Sequence, residues 1–255
     1  MTGTLDKTKY VMFCLCPRKA WKEAFEHLPS NGDPSRAEDG VEVGIVARDY
    51  FGKGTCVLAD RKNPSTKPGI YAEYPLRFND LECYVDILRI NSDGSIDIFE
   101  VKSVNEYKAS KNSDNVKKKF LEDVSFQYYV ALKAGFNVKT ANLVVLNKDY
   151  IYMGGEYDLQ KLFKVVDLTD TVNQRVNEVE QNINNYFALD KASAPKCLLS
   201  GTCNEYGGCQ YLDECKTLKG LPKLKIIHGN QNEEMLPYIY SNVRGYYFYR
   251  YTKLR

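Results

Sequence analysis

The sequence lacks the features typical of membrane, secreted or strongly charged proteins. No apolar run approaches the roughly 18 residues that a membrane-spanning helix needs, and the amino-terminal residues do not have the pattern of a signal peptide. Lysine plus arginine (35) nearly balances aspartate plus glutamate (33), which excludes a polybasic or polyacidic chain. We therefore expect a cytoplasmic protein in which any contact with nucleic acid comes from a local patch of charge.

The chain does have enough apolar material for one sizeable α/β domain or two small ones. Of its 255 residues, 44% are hydrophobic and 27% charged, as in ordinary globular proteins. Apolar periodicity and caps predict helices over residues 5–15, 17–27, 40–51, 120–134 and 169–187, with a polar loop over 29–40. Strands are predicted over residues 71–78, 82–90, 95–101 and 142–146. This order of elements predicts an α/β layer domain.

The predicted hairpin carries two acids and a lysine at one end. Because side chains alternate along a strand, Glu100 and Lys102 share a face, and Asp86 in the partner strand can reach Glu100. Two carboxylates suit Mg²⁺ or Mn²⁺, and a neighbouring lysine can help to deprotonate a water or offset charge in phosphodiester hydrolysis. The alternative is a group of surface charges, although aspartate is depleted in strand interiors.

Two helices add further candidates. Asp123 and Gln127 lie four residues apart on one helix face, where they would position a water or a phosphate, or form a solvated face. Glu42, on the helix before the sheet, is an additional candidate metal ligand, and a surface glutamate is the alternative.

Eight cysteines in a chain without a signal peptide indicate metal binding rather than disulfides. Cys203, Cys209 and Cys215 are each separated by five residues, a wider spacing than in most zinc knuckles, and this favours an iron–sulfur cluster. Cys16 is the best fourth ligand, and Cys14 and Cys197 compete for the ligand roles. Such a cluster would join the amino- and carboxy-terminal segments, and a four-thiolate zinc site is the alternative.

An ordered series of segments resembles the RecB-like nucleases of the PD-(D/E)XK superfamily that carry an iron–sulfur cluster. The segments are CPRKAW from residue 16, GVEVGIVAR from 40, YVDIL from 84, FEVKS from 99, DVSFQY from 123 and LNKDY from 146, followed by the closing cysteines. The chain is similar to CRISPR-associated RecB-like exonucleases, to AddB-type nuclease subunits, and to bacterial proteins in which such a nuclease precedes an RNase H-like domain. The series spans residues 5 to about 220.

The resemblance implies a fold and a domain division. The fold would be a restriction-endonuclease-like mixed β-sheet flanked by helices, with residues 1–220 as the nuclease domain. Residues 40–190 would form its catalytic core, and residues 1–30 and 190–220 its cluster-binding lobe. Residues 221–255, which the resemblance does not cover, are an aromatic-rich tail whose alternation predicts a strand that pairs with the sheet edge or with a partner chain, either another protein or a second copy of this chain.

The resemblance also implies an activity, a Mg²⁺- or Mn²⁺-dependent deoxyribonuclease, and an exonuclease rather than an endonuclease, acting on single-stranded DNA or DNA ends. The resemblance implies that the metal is bound by Asp86, Glu100 and the carbonyl of Val101, and that Lys102 is the catalytic lysine. Gln127 would organise the substrate and the lysine. A [4Fe–4S] cluster would be ligated by Cys16, Cys203, Cys209 and Cys215. We expect DNA phosphates to contact Arg18, Lys19, Lys117, Lys118 and Lys119, although such a lysine run is also typical of a solvated surface.

The sequence departs from the family pattern at two positions, and the first departure supports an alternative. The GVEVG segment has no histidine ligand, so only Glu42 could replace it, and Ala131 occupies the position of a family tyrosine. The alternative is a non-catalytic DNA-binding or adaptor module of the same fold.

Overall fold

The computed structural model describes residues 3–26, 34–110, 115–201, 203, 209–220, 236–241 and 247–252. The chain divides into two compact units, residues 1–215 and 216–255. In the second unit, strands Leu236–Ser241 and Tyr247–Thr252 pair with each other in an antiparallel hairpin. The two tail strands therefore pair with each other, and pairing with a partner chain stays a prediction.

The first unit is built on a seven-stranded mixed sheet. Its strands are β1 (Leu5–Asp6), β2 (Cys56–Leu58), β3 (Gly69–Phe78), β4 (Leu81–Ile90), β5 (Ile96–Lys102), β6 (Val138–Leu146) and β7 (Phe163–Asp167). The spatial order is β2-β3-β4-β5-β6-β7, and β1 pairs with β4. The β3–β4, β4–β5 and β6–β7 pairs are antiparallel, and the β1–β4, β2–β3 and β5–β6 pairs are parallel.

Helices pack on both faces of this sheet. In chain order, the helices of the described residues are α1 (Lys7–Leu15), α2 (Pro17–Phe25), α3 (Pro34–Tyr50), α4 (Lys118–Lys133), α5 (Leu159–Leu162), α6 (Thr169–Gln174), α7 (Val176–Phe187) and α8 (Leu212–Leu218). Ile98 and Val145 point into the core beneath α1, α4 and α7, whereas Phe99 and Val144 point into a second core beneath α3. This alternation places helices on opposite faces of the sheet.

The sheet opens between β4 and β5. The two strands pair from Ile90 and Ile96 as far as Ile87 and Phe99, and they separate beyond that pair. Because β3 covers the other edge of β4 along its whole length, β1 occupies the edge that β5 leaves, pairing Leu5 with Leu81. The amino-terminal segment is thereby brought to the point where the two strands separate.

The α/β class predicted from the sequence is confirmed, but several elements differ, and the short elements β2, α5 and β7 were not predicted. Residues 5–6 form β1 rather than the start of a helix, because they gain strand pairing from the distant β4. Residues 34–40, predicted as loop from their polar composition, belong to α3, whose Pro34 suits a first helical turn. The helix predicted over residues 169–187 is two helices that meet at Arg175, and residues 27–33 lie outside the described chain.

Among the residues described, no helix is both long enough and apolar enough to cross a membrane.

Helix α1 is held against α4 by aromatic packing. The rings of Tyr10 and Phe126 stack with centroids 4.7 Å apart, and both side chains are completely buried. Since α1 follows β1 directly, this contact fixes the amino-terminal segment against the opening in the sheet.

Replacing Phe126→Ala removes this stack from a site that solvent cannot reach. We expect a loss of about 3–5 kcal/mol in the free energy of unfolding, measured by urea denaturation. Val57→Ala is the control, because Val57 is 59% exposed and its truncation should cost about 0.5 kcal/mol or less. Equal losses in the two variants would contradict the packing role.

Candidate functional site

Glu100 is the centre of a charged cluster at the opening between β4 and β5, where it is only 1% exposed. Its Oε1 accepts hydrogen bonds from Lys102 Nζ at 2.5 Å and Lys7 Nζ at 3.1 Å. Its Oε2 accepts from Lys7 Nζ at 3.0 Å and from Gln127 Nε2 at 2.8 Å. Four hydrogen bonds, three of them from lysines, therefore offset the cost of burying this carboxylate.

Helix α4 contributes two side chains to the cluster. Asp123 and Gln127 lie one turn apart and both face the sheet, where Asp123 Oδ2 accepts from Lys102 Nζ at 2.5 Å and Oδ1 accepts from Gln127 Nε2 at 3.0 Å. The Oε1 oxygen of Gln127 is buried and has no hydrogen-bond partner among the described residues. It is thus available to accept a hydrogen bond from a water or a ligand.

Asp86 lies where the strand ladder is interrupted on both sides. Its Oδ2 accepts from the Val101 N–H at 2.8 Å, in place of a backbone partner, and its Oδ1 lies 3.5 Å from Lys7 Nζ. On the neighbouring strand β3, Glu73 has a φ of 53°. The regular pairing of β3 with β4 omits Glu73 and Asp86. A non-glycine residue in this left-handed region is uncommon. The side chain of Asp86 therefore accepts the hydrogen bond from the Val101 N–H that a backbone carbonyl would accept in a regular strand pair.

The cluster holds three carboxylates and two ammonium groups, and their pKa values reflect this imbalance. Burial and the charge of Glu100 raise the pKa of Asp86 to about 7, against the opposing effects of Lys7 and Lys102. Burial and Glu100 also raise the pKa of Asp123. Burial alone would raise the pKa of Glu100, but Lys102 and Lys7 hold it far below its ordinary value.

The two lysines stay protonated at neutral pH. Burial alone would lower the pKa of Lys102, but Asp123 and Glu100 raise it well above its ordinary value. For Lys7, the charges of Glu100, Asp123 and Asp86 likewise outweigh burial and raise the pKa. Both side chains therefore act as fixed cations beside the acids.

The structure brings together the predicted Asp86, Glu100, Lys102 and Gln127, and it adds Asp123 and Lys7. Sequence reasoning treated Asp123 only as part of a polar pair and missed Lys7. No local pattern marks this lysine, because it is one of 35 basic residues and lies 93 positions from Glu100.

Glu42 does not join the cluster. It is exposed on α3, which packs on the face of the sheet opposite α4, and no contact links it to the carboxylates in the part of the chain described. The side chain of Val101 packs in the α3 core, as expected from strand alternation.

Several residues predicted to contact DNA are engaged within the protein. Arg18 donates to the Pro195 carbonyl at 3.0 Å and to Glu214 at 2.9 Å. Lys117 and Lys118 donate to the carbonyls of Glu106 and Cys14, at 2.7 and 2.8 Å. Lys119 lies 4.9 Å from the ring of Phe120, and Lys19 is half-buried on α2. DNA binding by these five side chains stays a prediction.

Five cysteines gather where the two ends of the first unit meet. Beyond the larger effect of burial, the thiols of Cys203 and Cys209 raise the pKa of Cys16. Burial raises the pKa of Cys215 to about 12, with contributions from Cys197 and Cys16. Cys16 thus lies near Cys203, Cys209 and Cys215. Cys197 is a fifth thiol, which lies near Cys215. Cys14 lies apart and interacts with Tyr10 and Glu122.

Ion pairs stabilise the lobe that contains these cysteines, which we call the cysteine lobe. Glu214, beside Cys215, binds Arg18 at 2.9 Å and Lys22 at 2.7 Å, which ties α2 to the closing cysteines. Trp21 is buried and donates through Nε1 to the Asp190 carbonyl at 2.7 Å, so it belongs to the packing of the lobe. Across the described ranges, no three or more His, Cys, Asp or Glu side chains are spaced as the ligands of one metal ion.

Comparisons with known proteins show a distant structural similarity. No family model matches the chain, and no curated protein matches it. Among solved structures, the protein described as SSO0001 superposes with a TM-score of 0.39 at 12% sequence identity, covering 72% of this chain and 77% of that chain.

Replacing Asp86→Asn tests the raised pKa. A carboxyl group whose pKa is higher in the folded than in the unfolded state stabilises the fold at low pH, and this stabilisation is lost as pH rises from about 4 to about 7. In EDTA, we expect the free energy of unfolding of the variant, relative to the wild type, to increase between pH 5 and pH 9.

Asp93→Asn is the control for this measurement. Hydrogen bonds from Ser95 lower the pKa of the exposed Asp93, so its titration is complete below pH 5 and its replacement should give a flat difference from the wild type. A flat difference for Asp86→Asn as well would show that burial does not perturb this carboxyl group.

Proposed function

We propose that the chain is a Mg²⁺- or Mn²⁺-dependent deoxyribonuclease of the RecB-like PD-(D/E)XK type, with a restriction-endonuclease-like core, acting in the cytoplasm. Its substrate would be single-stranded DNA or DNA ends, and its action exonucleolytic rather than endonucleolytic. The observation that carries the proposal is the convergence of Asp86, Glu100 and Lys102 at the opening of the sheet, with Asp123 and Gln127 above them.

The acidic cluster has the donor chemistry that a divalent cation needs. Its three carboxylates approach the ammonium nitrogen of Lys7 to between 3.0 and 3.9 Å, so they form a site with affinity for positive charge. Carboxylate and carbonyl oxygens are the ligands that Mg²⁺ and Mn²⁺ prefer. Asp86, Glu100 and the carbonyl of Val101 would hold the ion, which would supply an activated water and positive charge for the phosphoryl oxygens.

Lys102 would act as a fixed positive charge. Its Nζ contacts Glu100 and Asp123 at 2.5 Å each, and these acids raise its pKa, so it carries a proton at neutral pH. An ammonium group so held can stabilise the charge that develops on the phosphate during hydrolysis. Of the two roles expected from the sequence, charge compensation is therefore favoured over proton abstraction.

Gln127 would orient the attacking water. Its Nε2 is held by Glu100 at 2.8 Å and Asp123 at 3.0 Å, which fixes the plane of the amide. The buried Oε1 then presents an acceptor without a partner in the described residues. A water that donates to this oxygen would have a defined orientation beside the carboxylates.

The cysteine lobe would hold a [4Fe–4S] cluster that joins the two ends of the domain. Cys16, Cys203, Cys209 and Cys215 are the proposed ligands, and their mutual effects on pKa show that Cys16 lies near the other three. Thiolates in this number suit iron–sulfur or zinc chemistry.

A non-catalytic DNA-binding or adaptor module of the same fold is the second candidate. The absence of a family histidine in the GVEVG segment favours it, as does the exposed position of Glu42, the substitute ligand that the sequence offered. The two candidates differ in whether the intact cluster of acids and lysine hydrolyses DNA.

Catalysis is tested with end-labelled single-stranded DNA and Mn²⁺. Lys102→Met removes the ammonium group but keeps the length of the side chain, and we expect the cleavage rate to fall about 100-fold or more. Lys133→Met, at a lysine on α4 that pairs with Glu180 on the surface, should cleave at the wild-type rate. Equal cleavage by all three proteins, or none by the wild type, would favour the adaptor.

The metal in the cysteine lobe is tested by elemental analysis of protein purified without oxygen. We expect iron and a brown colour in the wild type, and a loss of both in Cys209→Ser. Cys56→Ser, at a half-buried cysteine that begins β2, should keep them. Stoichiometric zinc in place of iron would show that the lobe is a zinc site.

A further inference from the structure

Lys7 is the member of the acidic cluster to which the nuclease proposal gives no role. We propose that its ammonium group is a built-in counter-ion, which holds the three carboxylates together when no divalent ion is bound and competes with that ion for them. Lys7 is in this sense a positioning residue. The inference rests on the proposed function, because it assumes that a divalent ion binds at these carboxylates.

The first argument is the position of the ammonium nitrogen. Lys7 Nζ lies 3.1 and 3.0 Å from the two oxygens of Glu100, 3.5 Å from Asp86 Oδ1 and 3.9 Å from Asp123 Oδ1. Lys102 contacts only Glu100 and Asp123. Among the described residues, Lys7 therefore provides the one side chain that contacts all three carboxylates, and its Nζ lies within 3.5 Å of Asp86 and Glu100, the two acids proposed to hold the ion.

The second argument is that the backbone of Lys7 is fixed on both sides. Before it, Leu5 is completely buried and donates its N–H to the Asp80 carbonyl at 2.8 Å, and Asp6 caps α1 by accepting from the Lys9 N–H at 2.9 Å. After it, Tyr10 is stacked in the core. The fold thus positions the backbone of Lys7 beside the three carboxylates.

The third argument is that the ammonium group itself can leave. The side chain of Lys7 is 24% exposed, and a four-carbon stem lets its head move towards solvent while its backbone stays in place. Lys102 is exposed to the same degree, at 23%, but its contacts with Glu100 and Asp123 are shorter, at 2.5 Å each, than the contacts of 3.0–3.9 Å that Lys7 makes with the three carboxylates. Lys7 is therefore the cation that a competing ion would displace.

Charge balance gives the direction of the effect. When all three carboxylates are ionised, they and the two lysines carry one surplus negative charge, whereas adding a divalent ion would leave one surplus positive charge if both lysines stayed. Since like charges a few ångströms apart in a half-buried site repel strongly, binding of the ion and of the Lys7 ammonium group oppose each other. Removing the charge of Lys7 should therefore tighten metal binding.

The experiment is a calorimetric titration of the full chain with Mn²⁺ and no DNA. We expect Lys7→Met to bind Mn²⁺ about tenfold or more tightly than the wild type, and Lys7→Arg, which keeps the charge, to bind as the wild type does. Lys9→Met is the matched control, because Lys9 lies on the same helix but pairs with Asp6 on the surface at 3.0 Å. Equal or weaker binding by Lys7→Met would overturn the proposal, since a merely structural lysine would not compete.

The remaining outcomes separate this inference from the nuclease proposal. If Lys7→Met does not fold in EDTA, Lys7→Gln is titrated instead. If both are unfolded, Mn²⁺ must restore the fold, and failure to do so overturns the inference. Tight Mn²⁺ binding by the Lys7 variant without DNA cleavage by any protein supports the inference and overturns the nuclease. Cleavage with equal Mn²⁺ affinities overturns the inference alone, and no Mn²⁺ binding by any protein overturns both.

Discussion

Three carboxylates that meet at one opening in the sheet, two of them buried and that of Asp86 half-buried, are the constraint on which the rest of the structure depends. An unpaired carboxylate in such a place costs several kcal/mol, so each must have a donor. The donors come from three directions: Lys7 at the start of α1, Lys102 at the end of β5 and Gln127 on α4. Charge compensation therefore fixes these elements relative to one another, in addition to the packing of their apolar faces.

A single helix joins the two candidate centres. Helix α1 begins at Lys7, among the carboxylates, and ends at Leu15, directly before Cys16. Nine helical residues span about 13 Å, so the cysteine lobe and the acidic cluster are held at a set separation. Cys16 also caps the next helix, since its Sγ accepts from the Lys19 N–H at 3.4 Å.

The sequence predicted the parts of the site that rest on local patterns. Strand alternation put Glu100 and Lys102 on one face, and helical spacing put Gln127 one turn from Asp123, because these periodicities are properties of the backbone. The place of Lys7 was not predictable in this way, since it depends on β1 pairing with a strand 76 positions away. The same holds for the thiols: their number was informative, but the inclusion of Cys197 depends on how the two chain ends meet.

The pairing of β1 with β4 also orders events during translation. Leu5 and Lys7 leave the ribosome long before their partners in β4 and β5, and α4 follows later still. Until then, the edge of the young sheet that β1 will cover stays open, and such an edge can pair with other chains. A nascent polypeptide therefore completes its acidic centre only once α4 has emerged, and up to that moment it depends on protection of the open edge.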